Sequence, residues 1–331
     1  MSSTYKNDSS AAVLDIHELK TYYDTLSGPV KAVDNVSFQV EKGEALGLAG
    51  ESGCGKTTVA LSILRILPSA GKIVGGRIGF KDHDLAKLKE KEMRQVRWKE
   101  ISIVFQGAMN ALNPLFKVRD QITEAILTNE KRTKKREAHQ RANRMLELVG
   151  IQPTRGDDYP HEFSGGMRQR ALIAMSLACN PDLLIADEPG TALDVIVQAQ
   201  VLKLLNELKA KLNLSMILIT HDLSIITELC EKGVIMYAGK IVEQGDLSSI
   251  FEKPLHPYTQ GLISAFPRIK AAKRRMTSIP GTPPDLLDPP SGCRFHPRCP
   301  YVMDICKEKE PITIKIDTEE HYAACHLIEK A

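Results

Sequence analysis

Residues 50–58 read Gly-Glu-Ser-Gly-Cys-Gly-Lys-Thr-Thr, a run whose residue types suit one task, the cradling of phosphate. Gly50, Gly53 and Gly55, spaced by Glu51, Ser52 and Cys54, let successive backbone N–H groups turn inward onto anionic oxygens. Lys56 reaches the β- and γ-phosphates of a nucleoside triphosphate, and the Thr57 hydroxyl ligates Mg²⁺. Thr58 continues into a helix whose positive dipole end adds to the same field. A second constellation lies further along. The apolar run Leu183–Ala186 ends in Asp187 and Glu188. An acidic residue at such a strand tip sits across from Thr57 and holds Mg²⁺. Glu188, one residue closer to the γ-phosphate, suits a general base that polarises the attacking water. His221 follows the run Met216–Thr220 and reaches the γ-phosphate from a third strand tip.

These groups need a scaffold of parallel strands with their C-terminal ends together. The chain supplies one. Val13–Leu19, Ala32–Val40 and Ala45–Ala49 read as strands, with a hairpin-like loop over Asp24–Pro29. Thr57–Leu67 has helical periodicity and ends at Pro68, and residues 73–80 return to strand. From about 84 to 165 the chain is charged and helical, with no strand after Ile101–Phe105. With the helix 166–178 that follows, a helical subdomain occupies about 84–180. Alternation then resumes: strand 182–187, helix 195–211, strand 215–220, helix 222–231, then strands 233–238 and 240–243 about Ala238–Lys240. Helices near 247–251 and 257–266 lead to a proline-rich linker, Pro280–Pro290, and a cysteine-bearing tail. The expected fold class is α/β. It has a phosphate-loop core, an N-terminal antiparallel β subdomain, an inserted helical subdomain and a small C-terminal extension. The expected divisions are a flexible tail at 1–11, the nucleotide core at 12–250 and the extension at 251–331.

Bulk properties narrow the class of partner. The chain of 331 residues has 43% hydrophobic and 26% charged residues, ordinary for a globular protein. A net charge of +3 gives no reason to expect nucleic acid. Basic runs at Lys131–Arg136 and Lys270–Arg275 read as solvated faces or linker, with contact to anionic lipid as the weaker reading. No window approaches the ~20 apolar residues a bilayer span needs, and the polar first ten residues lack an export signal. The expected location is therefore the cytoplasm, with any membrane role exercised through a partner.

Residues 163–169, Phe-Ser-Gly-Gly-Met-Arg-Gln, together with the phosphate loop and Asp187–Glu188, resemble the ATP-binding-cassette family over roughly residues 12–250. Phe163 and Met167 stand where the commonest form of this signature has Leu and Gln. The resemblance implies that Ser164, Gly165 and Gly166, opening a helix, cap the γ-phosphate bound at a partner cassette, so that ATP is hydrolysed only within a face-to-face pair. It assigns Gln106 to a loop that senses γ-phosphate and Mg²⁺ and contacts a permease, Asp194 to the loop crossing the dimer interface, and Tyr23, with Tyr22 adjacent, to stacking on adenine. Gly-Glu-Ser-Gly at 50–53, Met-Asn-Ala-Leu-Asn-Pro at 109–114, His-Pro-Tyr-Thr at 256–259 and Cys-Arg-Phe-His-Pro-Arg-Cys-Pro at 293–300 resemble the ATPases of dipeptide and oligopeptide importers. Departures are Gly107-Ala108, where Asp-Pro is frequent, and Gly190, where Thr is usual. The resemblance implies an ATPase on the cytoplasmic face of the cell membrane. Its implied partners are a second cassette (sibling or identical), two permeases and an extracytoplasmic substrate-binding protein. Importers of oligosaccharides or nickel are the alternative, and a soluble cassette acting on DNA or ribosomes is a further one.

Seven cysteines, an odd number, argue against a disulfide framework. Cys54, Cys179 and Cys230 read as packing or loop residues, with Cys54 open to alkylation. Cys293, Cys299, Cys306 and Cys325 have the density of a tetrathiolate site, and spacing alone favours zinc. The family resemblance points instead to a [4Fe–4S] cluster, with His296 and His326 as substitute ligands; unliganded cysteines are the remaining alternative.

Overall fold

The computed structural model describes residues 12–105, 107, 111–191, 193–265, 279–316 and 320–329. Gln106, Met109 and the basic run Lys270–Arg275 lie outside them. The chain begins with β1 (Ala12–Thr25), β2 (Gly28–Glu41), β3 (Ala45–Ala49), α1 (Lys56–Leu64), β4 (Gly71–Phe80), β5 (His83–Asp84), α2 (Glu90–Val96) and β6 (Ile101–Val104). Three helices follow, α3 (Val118–Asn129), α4 (Lys135–Leu148) and α5 (Gly165–Ser176). Alternation returns with β7 (Leu183–Asp187), α6 (Val195–Leu212), β8 (Ser215–Thr220), α7 (Leu223–Leu229), β9 (Lys232–Tyr237) and β10 (Lys240–Asp246). The last elements are α8 (Leu247–Glu252), α9 (Pro257–Ser264), α10 (Asp304–Glu308), β11 (Thr313–Ile316) and β12 (His321–Ala324).

Two sheets organise the molecule. The first is antiparallel, in the order β2-β1-β4-β5. The second has the order β11-β12-β10-β9-β3-β8-β7-β6, with β3, β6, β7, β8 and β9 parallel. Strands β3, β7 and β8 are buried along their whole length, as strands covered on both faces must be. One apolar core joins the two sheets through α1, with Leu14, Phe38, Leu48, Ile63 and Ile185 among its members. A second core holds α3, α4, α5 and α6 together around Ile122, Leu146, Ile173 and Leu205. A mixed α/β core of this kind has the expected class.

Three local differences from the sequence reading have clear causes. The hairpin between β1 and β2 is tighter than the expected loop. Both strands run on until only Leu26 and Ser27 remain between them, and the Thr25 hydroxyl donates to the Gly28 carbonyl at 2.7 Å. Helix α1 stops at Leu64, although the apolar run continues toward Pro68. Arg65 turns left-handed at φ 51°, and the Ile66 N–H closes back on the Leu61 carbonyl at 3.0 Å, a C-terminal capping turn.

The tail carries the third difference. No strand was expected beyond 243, yet β10 runs to Asp246, and β12 pairs with it through Glu243↔Ala323 and Gln244↔Tyr322. The extension therefore prolongs the central sheet. Fully buried Glu243 ties this junction: its carboxylate accepts the N–H groups of Leu255 and His256, each at 2.8 Å, and lies 2.8 Å from His321 Nε2. The His256 ring, also buried, accepts the Tyr258 N–H at 3.1 Å, and burial lowers its pKa to about 3. Phe295 packs edge-on to Tyr237 and Tyr258, with ring centroids 5.1 and 5.4 Å apart.

Candidate nucleotide site

Because β3, β8 and β7 are neighbours in the central sheet, their C-terminal tips open side by side. The loop after β3 carries the glycines, the tip of β7 carries Asp187 and Glu188, and His221 follows β8. Two glycines of the loop are required by both conformation and space. Gly50 has φ 149°, and a Cβ there would lie 2.2 Å from the Met236 carbonyl oxygen. Gly55 has φ 107°, and its Cβ would lie 2.2 Å from the Ala32 carbonyl oxygen. A side chain at either position would push the loop off the strand tips.

Lys56 is buried and its ammonium turns back into the loop, donating to the carbonyls of Gly50 at 2.7 Å and Glu51 at 3.0 Å. Ser52, Gly53 and Thr57 are exposed along the same loop. Cys54 is different: it is buried under the turn with its Sγ 3.7 Å from Lys56 Nζ, and burial pushes its thiol up, so alkylation has no exposed thiolate to attack. Tyr23 lies over the start of α1, its hydroxyl 3.3 Å from that of Thr58, whereas Tyr22 donates to Asp34 at 2.9 Å on the opposite side of β1. Of the adjacent pair, Tyr23 is the one beside the loop.

Asp187 is 1% exposed, its carboxylate meets the Thr57 hydroxyl, and its Oδ1 has no hydrogen-bond partner in the protein. Burial raises its pKa against the lowering effects of Thr57 and Lys56. A buried carboxylate with an unpartnered oxygen beside a threonine hydroxyl is a hard-oxygen donor set, and the two residues fit Mg²⁺. Glu188 has a positive φ of 46°, a strained setting for a non-glycine residue. Its carboxylate meets His221 Nδ1 at 3.0 Å and accepts the Thr191 hydroxyl at 2.8 Å. Burial works to raise the Glu188 pKa, but the bonds from His221 and Thr191 outweigh it and hold the group ionised below the usual carboxylate range. A cleft of about 290 Å³ opens beside it, lined by Glu188, Thr191, Gln198, Thr220 and His221. Gly190 borders this cleft because its missing Cβ would meet the Gln198 side chain at 2.5 Å.

The signature segment is built as a helix start pointing outward. Ser164 caps α5, its hydroxyl accepting the Met167 N–H at 3.3 Å, and it is exposed. Gly166 has its place because Val197 of α6 fills the space a Cβ would need, at 2.5 Å. Asp194 caps α6 through the Val197 N–H at 3.0 Å, and the next two residues, Val195 and Ile196, are 81% and 72% exposed. The loop containing Gln106 falls outside the described residues.

Residues 33–191 match the ABC transporter family, and residues 242–306 match the oligopeptide/dipeptide transporter C-terminal region. The dipeptide transport ATP-binding protein DppD of Bacillus subtilis is 48% identical over 320 residues, covering 95% of this chain and 94% of that protein. The chain belongs to the ABC transporter ATP-binding subunits. The oligopeptide transport ATP-binding protein OppD of Escherichia coli is 45% identical over 303 residues, 91% of this chain and 89% of the relative. Among solved structures, the cassette cbiO1 from Clostridium perfringens, described as part of the ABC transporter complex cbiONQ, covers 74% of this chain and 92% of its own, with 27% identity and a TM-score of 0.64. The dimeric cassette MJ0796 bound to ADP and Pi shares the fold, at a TM-score of 0.63 and 24% identity over 71% of this chain and 98% of its own.

The expectation of a metal cluster in the tail of this cassette protein is not upheld. Cys293, Cys299, Cys306 and Cys325 are all free thiols, and among the described residues no group of three or more His, Cys, Asp or Glu is placed to hold a metal ion. The matched relatives are named as ATP-binding proteins, with no iron–sulfur group or other bound metal in those names. The thiols lie in apolar surroundings, where burial raises Cys293 to about 12 and Cys325 to about 11. Cys293 and Cys299 pack against the apolar cluster around Tyr237 and Phe295. His296 and His326 are engaged elsewhere, the first with the Cys293 carbonyl at 3.0 Å and the second with Glu329 and the Lys309 carbonyl, each at 2.9 Å.

Proposed function

We propose that this chain is the ATP-hydrolysing subunit of a peptide importer, working at the cytoplasmic face of the membrane through partner permeases. The observation that carries the ATPase reading is Asp187, buried beside Thr57 with one oxygen unpartnered, at the mouth of a loop in which Gly50 and Gly55 leave no room for a side chain. The observation that favours peptides over other cargo is the oligopeptide/dipeptide-type region at 242–306. Among the described residues no helix is long and apolar enough to cross a membrane, so the path for cargo belongs to other chains.

The mechanism follows from the chain's own groups. Backbone N–H groups of 53–57 take the phosphates, and Lys56 leaves the Gly50 and Glu51 carbonyls to meet the β- and γ-oxygens. Thr57 and Asp187 would hold Mg²⁺, which offsets phosphate charge when bound. Tyr23 stacks on adenine. Glu188, kept ionised by His221 and Thr191, accepts a hydrogen bond from the attacking water and aims it in line. His221, 65% exposed, turns its free edge toward the γ-phosphate. Gln106 senses that phosphate and reports it to the permease. Across the interface, Ser164, Gly165 and Gly166 present the start of α5 to the partner's ATP, while Asp194 and exposed Val195 and Ile196 face the partner cassette. Closure around two nucleotides, and release after hydrolysis, moves the permeases. The assembly comprises a second cassette, two permeases and an extracytoplasmic binding protein. In proteoliposomes it drives ATP-dependent uptake of labelled di- or oligopeptide, and Lys56→Ala abolishes that uptake. Uptake of the same peptides by the Lys56→Ala assembly at the unaltered rate would refute the reading.

A further inference from the structure

Glu51 is the least obvious member of the phosphate loop, since its side chain points away from where phosphates bind. It is nonetheless the most heavily held. Its backbone N–H donates to the Tyr258 hydroxyl at 2.9 Å. Its carboxylate receives both arms of Arg298, Nη1 to Oε2 at 2.6 Å and Nη2 to Oε1 at 3.0 Å. Its carbonyl accepts Lys56. Arg298 has no spare donor: Nε goes to the Pro280 carbonyl at 2.8 Å, and the remaining N–H groups reach the Tyr237 hydroxyl at 3.3 Å and the Gly281 carbonyl at 3.4 Å. Its side chain is 6% exposed, so the fork is fixed before any ligand arrives. A two-armed guanidinium–carboxylate pair whose arginine is buried is both strong and geometrically strict.

The sequence distance makes the arrangement notable. Arg298 lies 247 residues from Glu51, and Tyr258 lies 207. Both belong to segments that ATP chemistry leaves unused, His-Pro-Tyr-Thr at 256–259 and Cys-Arg-Phe-His-Pro-Arg-Cys-Pro at 293–300. The remaining residues of those segments build the mount. Phe295 wedges against Tyr258, His256 caps α9 beneath it, and Arg294 binds the Ala238 carbonyl and Asp34.

We propose that Arg298 and Tyr258, contributed by the C-terminal extension, are positioning residues that grip Glu51 and so set this chain's affinity for MgATP. Lys56 now occupies the Gly50 and Glu51 carbonyls and must release them when it turns to phosphate. Without an outside grip, the first half of the loop would then lose its main tether. With Glu51 clamped through its N–H and carboxylate, the loop keeps its shape as Lys56 leaves. The inference rests on the ATP reading above and deepens it by making the extension a wall of the nucleotide site.

The test uses the full chain in the assembled transporter, measuring MgATP binding with a fluorescent ATP analogue, together with KM, kcat and thermal melting. Glu51→Gln, Tyr258→Phe and Arg298→Gln each weaken MgATP binding and raise KM about tenfold, equivalent to ~1.4 kcal/mol. In Tyr258→Phe and Arg298→Gln, turnover at saturating ATP stays within about twofold of the unaltered enzyme. Glu51→Gln combined with Arg298→Gln is no weaker than either alone, because both remove one contact. Arg298→Lys, retaining charge but not the fork, falls between. Unchanged binding in Glu51→Gln and Tyr258→Phe, or full additivity of the double variant, overturns the proposal. So does a lowered melting temperature with KM unmoved, which is the mark of a purely structural tie. Lack of MgATP binding by the unaltered assembly refutes the ATP reading itself, and the clamp with it.

Discussion

Replacing Asp187 by Asn should make the nucleotide-free chain more stable and at the same time abolish its response to MgATP. Asp187 is 1% exposed, its Oδ1 has no partner within the protein, and burial raises its pKa, so without Mg²⁺ its negative charge is only partly compensated. An imperfectly paired buried polar or charged group costs ~1–3 kcal/mol. Asn keeps the shape and removes the charge. For a chain of this size that gain corresponds to a melting temperature higher by roughly 1–4 °C. The sign with pH agrees: a carboxyl whose folded pKa is raised costs stability above that pKa and regains it as pH falls, so the difference between the two proteins should shrink in mild acid. Adding MgATP reverses the order. The unaltered chain gains RT ln(1 + [L]/Kd), about 2.7 kcal/mol at a hundredfold excess over Kd, while the variant gains little. Differential scanning fluorimetry with and without Mg²⁺ and ATP reads both halves. A variant that melts lower than the unaltered chain in the absence of Mg²⁺, yet shifts equally with MgATP, would refute the reasoning.

Two pH-dependent outcomes follow from other residues. His221→Ala and Thr191→Val each remove a bond that keeps Glu188 ionised. The acidic limb of kcat should therefore move to higher pH in both, since the base form is lost sooner as pH falls; an unmoved limb in steady-state profiles would disconnect these residues from the base. His256, held near 3 by burial, titrates near 6.5 once unfolded. The unfolded chain then binds the extra proton between those values, so stability declines as pH drops from about 6.5 to about 3, by up to ~5 kcal/mol. His256→Asn, which retains a helix-capping acceptor, should flatten that decline in urea titrations at several pH values, and an unchanged slope would count against a neutral buried ring.

The phosphate loop and the strand-tip carboxylates were legible in the sequence because their signals are local. Gly50 to Thr57 and Leu183 to Glu188 each carry their whole meaning within a few residues, and parallel neighbours β3, β7 and β8 bring them together. Strands β11 and β12 were not legible. Thr313–Ile316 and His321–Ala324 are four residues each; they pair with each other, and the partner of β12 in the central sheet, Glu243, lies some eighty positions away, beyond any periodicity a window can register. The Arg298–Glu51 pair was hidden for the same reason. The choice between Tyr22 and Tyr23 turned on strand facing, which needs the register of β1 against β2 and β4. The tail cysteines misled because spacing reports proximity along the chain, whereas ligation needs deprotonated thiols converging in space. Here the four thiols are free, and Cys293 and Cys299 pack into an apolar cluster.

The central claim, that ATP is held until Glu188 directs water onto it within a closed pair of cassettes, is tested most directly by nucleotide retention. The assembled transporter carrying Glu188→Gln is loaded with labelled ATP and Mg²⁺, then passed rapidly through a sizing column. The account predicts unhydrolysed ATP co-eluting with the assembly, in a stoichiometric amount that Lys56→Ala abolishes. Hydrolysis by Glu188→Gln at the unaltered rate, or prompt loss of ATP from it, would contradict the account.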